Sequence, residues 1–168
     1  MTYSTLINAI STALRPLVTA AGGTLEQAET LEEAQKFLAA APHRWRLILH
    51  WEGLSSHPDA RLGMTSHQIA TVVQQPRGLL HRPGENLTKP LPGGALPFSE
   101  RLAQVMGWMA ALKFPDGSGA DDAGFSLESS QWLTTAPATA AHALNWKLDA
   151  ALPPYPAFIP LIFPPLTP

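Results

Sequence analysis

The chain has 168 residues, a length that favours one domain with a modest hydrophobic core. Hydrophobic residues make up 45% of the chain, charged residues 14%, and the formal net charge is −2, a balance that excludes disorder through charge excess and argues against a dedicated nucleic-acid-binding protein. Cysteine is absent, which excludes disulfides, cysteine–zinc sites and thiol catalysis.

The N-terminal part of the chain predicts two helices. Apolar residues recur at helical spacing over residues 5–18, and a glycine pair at 22–23 then breaks the pattern. Thr30 and Glu33 form a capping-box pattern, which predicts the start of a second helix over residues 30–40.

Two strands are predicted next, over residues 44–51 and 65–75. The first carries Trp45 and Trp51 at the same parity, so both side chains should lie on one face of the strand. The second alternates in the same period of two. A polar turn region separates them, and we expect the two strands to pair as an antiparallel hairpin.

A long loop follows over residues 76–97, with five prolines, four glycines and the most basic composition in the chain. Loops of this length inside compact domains are usually functional or disordered. An amphipathic stripe then predicts a helix over residues 98–114. After an acidic connector, two further strands are predicted over residues 125–133 and 141–148.

Runs of adjacent strands favour an α+β fold. We predict an antiparallel sheet of about four strands with helices packed on one face, forming a single domain over residues 1–152. Residues 153–168 hold seven prolines in 16 positions, which excludes a helix or a central strand. This segment is predicted to be an extended C-terminal arm.

No motif in the sequence specifies a catalytic centre, a cofactor site or a metal site, and we expect the protein not to be an enzyme. One alternative stays open. His50 and His67 could face each other across the predicted hairpin with Glu52 nearby, and three such side chains could hold the metal of a small hydrolase.

The C-terminal arm is rich in large apolar side chains, which would favour aggregation if they were exposed on a monomer. Against a neighbouring subunit they would bury apolar area, and the prolines would lower the entropy cost of ordering. The predicted interface residues, from the arm and the basic loop, are Arg77, Arg82, Tyr155, Phe158, Ile159 and Phe163. An adaptor that docks a partner through this arm is a second alternative.

The stretches RWRLILHW, TSHQIATVVQQP, FSERLAQVMGWMAALKF and AAHALNWKLDAAL follow one another in an order that resembles the tail-terminator and tail-completion proteins of tailed bacteriophages. The resemblance covers residues 5–151 and rests on the order and size of the elements. It implies an N-terminal helix, an antiparallel sheet, a helix crossing it and final strands. The second helix and the proline-rich arm depart from the simplest pattern, which leaves a related neck or tube-associated subunit as an alternative.

The resemblance also implies a function. Such proteins form hexameric rings that stop growth of the tail tube and join the tail to the head connector. We therefore expect self-association into a ring, contacts with tail-tube and head-connector proteins, and a place in the virion after assembly in the host cytoplasm. A near-neutral chain suits a ring through which DNA passes without specific binding. No signal peptide or membrane-spanning segment is expected.

Overall fold

A computed structural model describes residues 3–56, 64–82, 84–86, 89, 91–115, 122–133 and 139–151. In chain order the elements are α1 (Tyr3–Ala20), β1 (Thr24–Ala28), α2 (Leu31–Ala39), β2 (Arg46–Ser56), β3 (Met64–Pro76), α3 (Phe98–Ala111), β4 (Lys113–Pro115), β5 (Asp122–Gly124), β6 (Ser126–Leu133) and β7 (Thr139–Ala151).

Five strands form the central sheet in the order β1-β2-β3-β7-β6. The pairs β2–β3, β3–β7 and β6–β7 are antiparallel, and β1 runs parallel to β2. The predicted β2–β3 hairpin is therefore confirmed, and the two predicted C-terminal strands, β6 and β7, also pair antiparallel. The long strands β3 and β7 pair along 13 residues each and form the middle of the sheet.

The predicted α+β class is confirmed, but the sheet differs from the prediction in two ways. It has five strands instead of about four, and it is mixed instead of antiparallel. The additional strand, β1, has only five residues, and two of them, Glu26 and Gln27, are polar and half-buried at the edge of the sheet. Such a short edge strand lacks the apolar alternation by which strands are predicted.

The helices cover both faces of the sheet, so the prediction that they share one face is wrong for α2. Helices α1 and α3 pack with Leu47 and Leu49 of β2 on one face. Helix α2 packs against Ile48, the residue between them, on the other face. Parallel strands require a crossover connection, and α2 is the crossover between the parallel neighbours β1 and β2, a connection that the predicted antiparallel sheet did not contain.

Neighbouring residues determine where α2 begins and where α3 ends. Thr30 caps α2 by accepting a hydrogen bond from the Glu33 N–H at 3.2 Å, and Glu33 Oε2 accepts from the Glu29 N–H at 2.8 Å. The predicted capping pattern is thus confirmed. Helix α3 ends at Ala111, three residues before its predicted end, because the following residues form β4 and pair with β5.

Trp45 joins three elements of the α1/α3 layer. Its side chain is 3% exposed, and its Nε1 donates to the carbonyl oxygen of Ala21, just after α1, at 2.9 Å. The ring also lies 6.3 Å from the ring of Trp108 on α3. A Cβ built on Gly23 would overlap an indole carbon of Trp45, so any side chain at this position has to displace the buried ring.

Several predictions fall outside the described residues. The arm over residues 153–168, with Tyr155, Phe158, Ile159 and Phe163, is one of them, and the domain boundary at residue 152 stays a prediction. Within the described ranges, no helix combines the length and the apolar character needed to cross a membrane.

The contact between Gly23 and Trp45 gives a first test. We expect Gly23→Ala to lower the free energy of unfolding by about 1–3 kcal/mol, because the new methyl group must displace a buried ring. Gly107→Ala is the matched control: its Cβ meets no atom within 4 Å, and the helix interior of α3 should gain about 0.5–1 kcal/mol. Urea unfolding followed by circular dichroism measures both. Equal stabilities for the two variants would contradict the close packing.

Candidate functional site

The basic loop is held at both ends by one buried side chain. Gln75, near the end of β3, is 1% exposed, and its Nε2 donates to the carbonyl oxygens of Leu79 and Leu96. These two carbonyls lie near the start and the end of the loop over residues 76–97. The described part of this proline- and glycine-rich segment is therefore fixed to the sheet by a glutamine in the α1/α3 layer.

Three exposed cations of this loop, Arg77, Arg82 and Lys89, line one cavity of about 1300 Å³. The carboxylate in the cavity wall, Glu85, accepts a hydrogen bond from the Arg82 N–H at 2.9 Å, and its Oε2 lies 3.8 Å from Nδ1 of His81. The structure thus brings the predicted interface residues Arg77 and Arg82 to one surface, which we call the basic loop surface. The other four predicted interface residues are not described.

A second surface follows the outer edge of β6. Seven of its eight residues are exposed, and within the described ranges this strand pairs only with β7. Leu127 and Trp132 face the side of the sheet that carries α1 and α3, since their partners in β7 are Trp146 and His142. Neither side chain is covered: Leu127 is 38% exposed and Trp132 66%.

The ring of Trp132 is held in place although it is exposed. It stacks on Phe98 at the start of α3, with ring centroids 5.3 Å apart. It also meets the ring of His142 edge-on at 4.8 Å. A large aromatic side chain fixed in this way at an open strand edge loses little conformational entropy on contact with a partner. We call this surface, with Leu127 and Trp132, the β6 edge.

The proposed metal ligands do not come together. His50 pairs with Ala70, whereas His67 pairs with Leu54, and a bulge at Glu52 lies between the two registers. His50 consequently points to the α2 face, where its Nδ1 lies 3.0 Å from the carbonyl oxygen of Ala28. His67 points to the opposite face and is 4% exposed. The predicted site of His50, His67 and Glu52 is therefore wrong, and among the residues described no group of three histidine or acidic side chains could hold a metal ion.

His67 is instead a buried histidine in the α1/α3 layer. Its Nδ1 has no hydrogen-bond partner in the described structure. Burial, which disfavours the charged imidazolium, lowers the pKa of His67 below its usual value of 6.5. Burial lowers the pKa of His142 in the same direction.

Arg101 is the residue that sequence analysis missed. It occupies the buried stripe of α3 together with Phe98, Val105 and Met109, and only 5% of it is exposed. Its guanidinium carbon lies 4.2 Å from the centre of a ring of Trp45. Arg101 lies three residues after Phe98 and four before Val105, a spacing that puts all three on one face of the helix. Its position in the sequence therefore already indicated a buried arginine.

Comparison with protein-family models gives no match for this chain, and comparison with curated proteins also gives none.

The lowered pKa of His67 predicts a pH dependence of stability. The unfolded chain takes up a proton near pH 6.5, whereas the folded chain does so only at lower pH. The contribution of the neutral imidazole is therefore complete above about pH 6.5 and is lost as the pH falls below it. We expect His67→Leu to flatten the decline of the free energy of unfolding between pH 7.5 and pH 5, with a residual slope from His142.

His43→Asn is the control, because it removes a histidine that is exposed instead of buried. Urea unfolding at a series of pH values measures the three profiles. A decline as steep in His67→Leu as in the unchanged protein would show that another group is responsible.

Proposed function

We propose that this chain is a structural subunit of a phage tail or neck, similar to a tail terminator. Copies of the chain associate into a ring, for which six is the expected number. The ring caps the tail tube and joins it to the head connector. In this function the chain binds other proteins and carries out no chemical reaction.

The β6 edge is the observation that carries this proposal. An exposed strand edge presents unpaired N–H and C=O groups, and proteins that stay monomeric usually blunt such edges with charges, prolines or a covering element. Here the edge runs for eight residues, has the sequence SLESSQWL, and contains one charged residue, Glu128. An exposed tryptophan at this edge is the kind of side chain that contributes most to protein interfaces.

The opposite edge of the sheet is less suited to pairing. Strand β1 has five residues, of which Leu25 and Ala28 are buried. On the outer side of this strand, the carbonyl oxygen of Leu25 accepts a hydrogen bond from Arg15 at 3.5 Å. This asymmetry favours association through β6.

The basic loop surface supports a second contact, with a different protein. Arg77, Arg82 and Lys89 present three exposed cations, whereas the nearby Glu85 is engaged by the loop itself. Acidic groups on a tail-tube or connector protein would be complementary to this surface. The arm over residues 153–168 is proposed to lie against a neighbouring copy, which would bury its apolar side chains. The low net charge of −2 is compatible with a lumen that DNA crosses.

Light scattering during size-exclusion chromatography tests the proposal over a range of concentrations. We expect a species with the mass of about six chains, rings in negative-stain electron micrographs, and capping of purified tail tubes. A strict monomer that neither forms rings at high concentration nor caps tail tubes contradicts the proposal. A monomer that binds one partner only when residues 153–168 are present would favour the adaptor instead.

Two variants test the β6 edge itself. Trp132→Ser should abolish ring formation, because it removes the central aromatic side chain of the surface. Leu31→Ser is the matched control: Leu31 is 64% exposed, close to the 66% of Trp132, but lies at the start of α2 on the other face of the sheet. The ring should persist in that variant. Thermal unfolding of both variants shows whether the fold is kept, and a Trp132→Ser protein that is folded and still forms rings excludes this edge from the interface.

A further inference from the structure

A cavity of about 540 Å³ lies between the end of α1, the start of β2 and the basic loop. It is distinct from the cavity of Arg77 and Arg82. The charged or titratable side chains in its described wall are His43, Arg44 and Arg101, and that wall contains no aspartate or glutamate. The cavity is therefore cationic.

Arg101 is the buried part of this wall. Its side chain is 95% withdrawn from solvent, and within the described residues it forms no ion pair. One terminal nitrogen donates to Oε1 of Gln104, and the guanidinium lies over Trp45. The Nε–H is buried and has no acceptor in the part of the chain that the structure describes. Burial also lowers the pKa of Arg101 below its usual value, as expected for a cation without a nearby carboxylate.

A buried guanidinium without a counter-ion is expensive, because both its charge and its N–H groups lose water. An oxyanion in the cavity would offset this cost. Carboxylate and phosphate oxygens match the fork of an arginine and form hydrogen bonds that the charges strengthen. The unpartnered Nε–H supplies a donor for such an oxygen, and His43 and Arg44 place further positive or titratable groups in the wall.

The rest of the wall leaves room for a ligand. Gly93 and Gly94 both have φ of 72°, a conformation that glycine adopts readily. Neither would bring a Cβ within 4 Å of another atom, so the backbone lines an open space there. Gln75 also lines the cavity, and its buried Oε1 has no hydrogen-bond partner among the described residues, so it could accept from a hydroxyl group beside the anion.

We propose that this cavity is a binding site for an oxyanion, a carboxylate or phosphate group, and that Arg101 is its principal ligand. The group belongs either to a free small molecule or to an acidic residue of a neighbouring chain, and the chemistry of recognition is the same in both cases. The site does not depend on the proposed ring, since its lining residues belong to one chain.

Thermal unfolding at pH 7.5 tests the site with inorganic phosphate and with acetate, against sodium chloride at matched ionic strength. We expect at least one of the two oxyanions to raise the melting temperature of the unchanged protein above its value in chloride. The response should be lost in Arg101→Gln, whatever the melting temperature of that variant without ligand. Arg77→Gln removes an exposed cation of the other cavity and should keep the response.

Nuclear magnetic resonance gives a direct reading of the contact. The Nε–H resonance of Arg101, identified by its loss in Arg101→Lys, should shift as the active oxyanion is added. Arg101→Lys keeps the charge but loses the fork, and we expect it to bind the oxyanion about tenfold more weakly or worse. A response to neither oxyanion, or equal stabilisation of the unchanged protein and Arg101→Gln, would overturn the proposal.

The mass of the protein with and without saturating oxyanion distinguishes the two sources. If a neighbouring acidic residue is the natural occupant, the free oxyanion competes with it and dissociates the assembly. If a free small molecule is the occupant, the assembly keeps its mass. If the chain proves to be monomeric, the ring proposal fails while the stabilisation and the Nε–H shift still decide the site.

Discussion

The indole of Trp45 packs against the backbone of Gly23 and the guanidinium of Arg101, and its Nε1 donates to Ala21. These contacts tie the end of α1, the beginning of β2 and the first turns of α3 to one rigid ring. The backbone of Trp45 also contributes: its carbonyl oxygen accepts a hydrogen bond from the Thr24 N–H at 3.1 Å, where the parallel pairing of β1 with β2 begins. The cationic cavity lies where these elements meet, with Trp45 and Arg101 both in its wall.

Much of the fold could be predicted from the sequence because the signals were local. The alternation of β2, β3 and β7 set their faces, and the position of Thr30 three residues before Glu33 set the start of α2. Trp45 and Trp51 do share the α1/α3 face, as their parity predicts, although Trp45 is buried and Trp51 only half-buried. The connections between the elements were harder to predict. Strand β1 has only five residues, with two polar residues in the middle, and so shows no periodic pattern. Without β1, the placement of α2 on the other face of the sheet could not be deduced.

The functional surfaces depend on facts that local patterns do not contain. His50 and His67 lie on opposite faces because the strands pair with position 50 opposite 70, and a shift of one residue would have reversed this. Arg101 is buried by Trp45, which is 56 positions away in the sequence, and the exposure of Trp132 depends on how far α1 and α3 extend over the sheet. Long-range packing decides both.

The difference between the two sheet edges constrains the symmetry of any assembly. If two β6 edges paired with each other, the contact would be isologous, and it would close after two chains around a twofold axis. A ring with more members needs a heterologous contact, in which β6 of one chain meets another part of the next. Since β1 is short and the outward carbonyl oxygen of Leu25 is engaged by Arg15, that other part is expected to lie outside the sheet. Such an assembly would be polar, with two unlike ends, as a junction between two different structures must be.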